Sequence, residues 1–332
     1  MKKREISRRE FVKLGTTGTA AALMARGKSS FGATTMAERP LGKTGHNVRL
    51  FSLGGQATLE QEGTREESVA IIHRAIDLGV NYIDTARYGQ GISQKYIGEV
   101  MATRRKEVFL ATKTRDRSRD GSLALLEESL TSLRTDHLDL WQLHNVRTQE
   151  DLDQIFGRGG AIEALQKARD EKMTRFLGIT GHYDPAMLIQ GLNRFDFDTI
   201  LMALNPSDTH HLSFQDELLP LANQKGMGVI AMKIPARGRM FRDGGLTSMR
   251  DAMHYVLSKP VSTVIVGCDT VAQLEENVKI ASEFQPMSTK KMTRVEDACK
   301  SYWAEASFYK KGGAREQRGA GLDTQGMPLL AE

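Results

Sequence analysis

Asn81-Tyr82-Ile83-Asp84-Thr85-Ala86-Arg87-Tyr88-Gly89-Gln90-Gly91 is the stretch on which the fold turns. Tyr82 to Ala86 is a short, mostly apolar run of the strand type, and Gly89 and Gly91 end it in a loop. Upstream, residues 66–78 carry Val69, Ile72, Ala75 and Ile76 on one helical face, and Gly79 stops them. Downstream, residues 93–102 form a second helical stretch. The loop also discriminates between two architectures. A doubly wound sheet usually carries a glycine-rich phosphate turn, and Gly89-Gln90-Gly91 lacks its third glycine at the right offset.

The alternation continues in both directions. Before it, residues 39–48 read as a hairpin around a Gly-rich turn, and residues 50–54 as a first buried strand. After it come strand-helix pairs at 108–113 with 123–133, 138–144 with 161–170, and 176–180 with 185–192. Three more follow at 199–204 with 214–224, 229–233 with 248–257, and 263–267 with 272–284. Eight units with apolar, parallel-type strands predict an α/β fold, a (β/α)₈ TIM barrel, over residues 38–285. Residues 286–332 form a C-terminal extension, with a helix over 294–308 and a mobile, Gly- and charge-rich stretch from Lys310 to Gly321.

Charge is distributed unevenly. The chain carries +5, but residues 1–33 hold eight Lys and Arg against two acids, a charge of +6, which leaves the remainder at −1. A near-neutral body argues against a nucleic-acid partner. The basic segment reads as a leader. Ser7-Arg8-Arg9-Glu10-Phe11-Val12-Lys13 resembles a twin-arginine export signal, followed by a mildly apolar stretch at 14–25 and small residues up to Ala33. This predicts engagement of the twin-arginine export machinery and a periplasmic or exported protein. The apolar run is too short for stable membrane insertion. Cys268 and Cys299 are the two cysteines, with no C-x-x-C pair, which leaves one disulfide open and predicts no metal site. His210 and His211 are adjacent in a loop and lack the further ligands a metal would need.

In a barrel, the C-terminal ends of different strands converge on one site. Here those ends carry Asp84, with Tyr88 in the following loop, then Lys113 and His144. A lysine ending an apolar strand needs a compensating charge, and Asp84 on the adjacent strand supplies it. An ammonium beside Tyr88 is expected to draw the phenol's pKa from about 10 toward neutrality, making Tyr88 a proton donor to a forming alkoxide. His144 is placed to orient a substrate oxygen.

Asn81 to Gly89, then Ala111-Thr112-Lys113, then Asp139-Leu140-Trp141-Gln142-Leu143-His144, resemble the aldo-keto reductase family, over roughly residues 38–285. The resemblance implies a barrel that binds NADP(H) or NAD(H) across its C-terminal face. It implies hydride transfer to a small-molecule carbonyl (an aldehyde, ketone or sugar) and a catalytic tetrad at Asp84, Tyr88, Lys113 and His144. For the cofactor it implies Thr180 and His182 at the nicotinamide carboxamide, Lys233 where the family often has an aromatic platform, and Gly267, Gln273 and Asn277 toward the adenosine phosphates. Three departures stand out: Gly181 in place of an amide, Leu201 near a usual Gln, and Asp269 where many relatives have an arginine. An acid there would repel a 2′-phosphate, which keeps NADH open beside NADPH. Two other readings remain open, a Schiff-base lyase using Lys113 as nucleophile and a non-catalytic nicotinamide-binding barrel.

Overall fold

A computed structural model describes residues 36–310 of the chain. Two short antiparallel strands, β1 (Glu38–Pro40) and β2 (Asn47–Arg49), form the expected hairpin. Gly42 sits in its turn at φ +53°, and a Cβ there would lie 2.1 Å from the Gly228 backbone nitrogen, so this position needs glycine on two counts.

Eight parallel strands then close into a barrel: β3 (Phe51–Gly54), β4 (Tyr82–Asp84), β5 (Phe109–Thr114), β6 (Leu138–Leu143), β7 (Thr174–Gly181), β8 (Thr199–Ala203), β9 (Gly228–Met232) and β10 (Thr263–Val266). Each pairs with its sequence neighbour, and β10 pairs with β3 to complete the ring. The helices between them are α1 (Arg65–Asp77), α2 (Ile92–Arg104), α3 (Arg119–Leu133), α4 (Gln149–Phe156), α5 (Ala161–Asp170), α6 (Pro185–Arg194), α7 (Leu218–Gln224), α8 (Met249–Leu257) and α9 (Val271–Ser282). The expected (β/α)₈ architecture is therefore the observed one.

Apolar side chains alternate between two cores, as the pleat requires. One core lies between strands and helices, and includes Trp141, Leu177 and Ile200. The other fills the barrel and its floor, where Leu41 and Val48 of the hairpin region meet Tyr82, Phe109, Leu140 and Ile230. His46 stacks on Phe109 at 4.7 Å and closes that end. The opposite, C-terminal end is left for chemistry.

Some elements depart from expectation. Helix α4 was not foreseen, although Thr148 and Asp151 form a capping box at its start. The helix expected from 214 begins at Leu218. Pro220 has no N–H and its ring would clash inside a longer helix, so it is tolerated only in the first turn. The Phe214 N–H instead donates to the Asp208 carboxylate at 3.0 Å.

The extension also differs from the single helix expected over 294–308. It folds as α10 (Thr289–Cys299) and the short α11 (Trp303–Ala306), joined and followed by tight turns. Lys310, expected to open a mobile tail, is buried, and its ammonium pairs with Asp208 and donates to the carbonyls of His211 and Leu212 at 2.9 Å. The rest of that stretch, 311–321, lies outside the described residues, as does the leader. Cys268 and Cys299 are both buried and free, so the disulfide left open is not formed. No helix among the described residues is long and apolar enough to cross a membrane.

Candidate active site

Asp84 ends β4, Lys113 lies near the end of β5, and His144 directly follows β6. The register sets Asp84 beside Ala111 and Lys113 beside Gln142, so the three strands deliver their polar side chains to one rim. The Lys113 ammonium, almost fully buried, bonds the Asp84 carboxylate and donates to the Thr85 carbonyl at 2.8 Å. Gln142 Nε2 donates to the other Asp84 oxygen at 3.0 Å. Gln142 belongs to the sequence motif, and the fold shows its role as the second partner of Asp84. Its signal was present: an amide inside the apolar run Leu140-Trp141-Gln142-Leu143 needs a buried partner.

Tyr88 follows a tight turn in which its N–H donates to the Ala86 carbonyl at 2.7 Å. The turn brings the phenol back over the site. The Lys113 ammonium stands 5.7 Å from the centre of the Tyr88 ring, and the His144 imidazole meets that ring edge-on at 6.4 Å. The four expected catalytic side chains thus share one cleft.

The electrostatics correct one expectation. Burial holds the Tyr88 phenol well above its ordinary value of 10, and the Asp84 and Glu60 carboxylates add to that rise. Lys113 does not draw it toward neutrality, because its charge is answered by Asp84 at contact distance. Burial also pushes the Asp84 carboxyl up and the Lys113 ammonium down, with each partner opposing the other's shift. His144 is held well below the usual imidazole range by burial and by Lys113. The resting site therefore presents a protonated phenol and a neutral imidazole around a paired acid and base.

The cleft, about 580 Å³, runs from this rim to the start of α9. His182, Lys233, Gly267, Gln273 and Asn277 all line it, each just past a strand end or within α9. Thr180 does not. Its hydroxyl accepts the Asn145 N–H at 3.0 Å, and the residue is fully buried in the barrel wall. Lys233 leaves β9 at φ +66° and lies 5.9 Å from the centres of both Phe308 and Tyr309. Gln273 accepts the Asp269 N–H, and Asn277 donates to the Cys268 sulfur at 3.6 Å. Asp269 and Glu276 put two carboxylates at the α9 end.

Two features lay beyond sequence reasoning. Arg237 and Glu60, 177 positions apart in the chain, face each other at 3.6 Å, and both line the cleft. Tyr309 of the C-terminal extension packs edge-on to His182 at 6.5 Å. Trp303 lies tilted against His211, with ring centres 4.9 Å apart, and is not part of the lining.

A model described as the Aldo/keto reductase family matches residues 51–245. The chain is 27% identical over 295 residues to the uncharacterized oxidoreductase YqkF of Bacillus subtilis, covering 74% of this chain and 92% of that protein. It is 29% identical over 300 residues to L-galactose dehydrogenase of Arabidopsis thaliana, covering 78% and 92%. Among solved structures, the aldo-keto reductase AKR11C1 from Bacillus halodurans, in its holo form, superposes with a TM-score of 0.67 at 24% identity, over 79% of this chain and 96% of that one. An aldo-keto reductase from Klebsiella pneumoniae in complex with NADPH gives 0.67 at 20% identity, over 80% and 96%. At those identities the structural likeness speaks for the fold.

Proposed function

The chain belongs to the Aldo/keto reductase family, and from that premise we propose that it reduces an aldehyde, ketone or sugar carbonyl with a nicotinamide dinucleotide, Tyr88 donating the proton. One observation carries the reading: Asp84, Tyr88, Lys113 and His144 converge on a single cleft, with the acid and base already paired. Lys113 spends its bonds on Asp84 and Thr85 rather than offering a lone pair, which counts against a Schiff-base role.

The cleft suits such a dinucleotide in size, being within the range of small-molecule and cofactor sites. It also suits it in chemistry. His182 leaves a buried, unpartnered Nδ1 at one end, Lys233 and Arg237 supply positive charge, and α9 presents its N-terminus at the other end. His182 and Lys233 would hold the nicotinamide half, and Gly267, Gln273 and Asn277 the adenosine half. The dinucleotide, when bound, supplies the hydride.

The protein's own residues do the rest. Tyr88 and His144 orient the carbonyl oxygen between them. Tyr88 then releases its proton to that oxygen as negative charge develops there. Lys113 stabilises the phenolate that remains, and Asp84, itself held by Gln142, keeps Lys113 in place.

Asp269 and Glu276 decide our choice between the two dinucleotides. A 2′-phosphate near them would meet like charge, so we expect NADH to bind more tightly than NADPH. Titrating both by fluorescence, and following carbonyl-dependent loss of reduced-nicotinamide absorbance, tests the proposal. Asp269→Arg is expected to tighten NADPH binding about ten-fold. Tighter NADPH binding by the parent protein would refute the preference, and no carbonyl-dependent oxidation of either dinucleotide would refute the function.

The leader, residues 1–33, lies outside the described residues, and export remains our reading of Arg8 and Arg9. Replacing both by Lys is expected to retain the protein in the cytoplasm on cell fractionation. An unaltered distribution would overturn it.

A further inference from the structure

A second cavity, about 380 Å³, shares a single lining residue with the cleft, Lys113. The rest of its wall comes from outside the catalytic set. Arg87 and Gln90 reach it from the loop after β4, Arg115 from the loop after β5, and Leu125 and Ser129 from α3. Its volume falls within the range of small-molecule sites.

The helix side of this cavity has no hydrogen to offer. The Ser129 hydroxyl accepts from Gln94 Nε2 at 3.0 Å and donates to the Leu125 carbonyl at 2.8 Å. Recognition therefore falls to Arg87 and Arg115, whose planar forks match the oxygens of a phosphate. The one acid in the lining, Asp116, uses Oδ1 to accept the Ser118 N–H at 2.7 Å and the Ser118 hydroxyl at 2.6 Å. Glu128 meets Arg87 at 3.1 Å, but both side chains are about half exposed. An ion pair that open to water is worth little, so an entering anion can displace Glu128.

The same residues touch the catalytic set through the chain. Arg87 immediately precedes Tyr88, inside the turn closed by the Tyr88 N–H on the Ala86 carbonyl at 2.7 Å. Gln90, in the same loop, stands at φ +54°, where residues other than glycine are uncommon. Arg115 lies two residues after Lys113, and its charge opposes the rise that burial gives the Tyr88 phenol. We propose that this cavity is a separate site for a phosphate-bearing small molecule, held between Arg87 and Arg115, whose binding slows carbonyl reduction without entering the cleft. Binding there is independent of the carbonyl-reductase reading, and the effect on turnover rests on that reading. A phosphate beside Arg115 cancels a positive charge near Tyr88, so the phenolate left by proton donation is less stabilised.

Calorimetric titration of the full chain with inorganic phosphate and with glycerol 3-phosphate, at fixed ionic strength, tests the site. Both are expected to bind, with the same affinity whether or not NADH saturates the cleft. Tighter binding of glycerol 3-phosphate assigns the site to a phosphate ester, and equal binding assigns it to the free ion. Arg87→Met and Arg115→Met are each expected to weaken binding about ten-fold, the size of a lost hydrogen bond to a charged group. Glu128→Gln is expected to tighten it, because the competitor for Arg87 is gone. Bound phosphate is expected to lower kcat about two-fold, the scale of one screened charge, with the KM for NADH unaltered. No binding, binding abolished by NADH, or affinity unchanged in both arginine variants overturns the site. Binding that leaves kcat where it was overturns the coupling. A parent protein without carbonyl turnover removes the reductase reading and the coupling, while the titrations still decide the site.

Discussion

Tyr88→Phe will lower carbonyl reduction by about 10²- to 10⁴-fold, the range for loss of a positioned general acid, while leaving dinucleotide affinity nearly unaltered. The substitution keeps the ring that faces Lys113 and meets His144 edge-on. What goes is the hydroxyl alone. The pH profile of the parent protein is a companion check. In the proposed mechanism the functional form of Tyr88 is the protonated one, lost as pH rises through a value held well above 10. The functional form of His144 is neutral, lost as pH falls through a value held well below 6.5. Between those limits kcat/KM is expected to be flat. A single limb centred near neutrality, or near-normal turnover by the Phe variant, would remove Tyr88 from the mechanism.

Lys310→Met will cost about 3–5 kcal/mol, because it strands a buried carboxylate. Asp208 is fully buried, and the lost ammonium also leaves the carbonyls of His211 and Leu212 without their donor. Burial already pushes the Asp208 carboxyl up and the Lys310 ammonium down, so each stays charged only through the other. For a domain of this size the loss corresponds to a fall in Tm of roughly 6–20 °C. The double variant Asp208→Leu with Lys310→Met is expected to recover much of it, since removing both charges removes the burial cost as well. Activity should fall too. Ser307 bonds Ser207 at 2.8 Å and Tyr309 bonds Asn205, so the pair anchors the segment that walls His182. A calorimetric Tm for Lys310→Met equal to that of the parent protein would show that the segment is not held this way.

The barrel and the positions of the tetrad were legible in the chain because both rest on local information. Strand and helix periods repeat within a few residues, and a parallel barrel then brings successive strand ends together without further instruction. Asp84, Lys113 and His144 needed only that rule, and Tyr88 only the short loop after β4. Other details answered to packing. Thr180 carries the expected hydroxyl, but it accepts the Asn145 N–H and lies buried off the cleft. Lys113 was correctly set beside Tyr88, yet contact with Asp84 and loss of water decided which way the phenol shifted.

The sequence by itself thus determined the architecture, the paired acid and base, and the phenol and imidazole that share their cleft. Only the tertiary structure decided what surrounds them. The Asp208–Lys310 pair joins residues 102 positions apart, and Tyr309 reaches Asn205 across 104. No local pattern encodes such contacts, because they exist only once the closed barrel has fixed where each loop ends. The same is true of His182: a histidine after a strand is ordinary in sequence, and only the fold shows that its Nδ1, like that of His144, is buried without a hydrogen-bond partner.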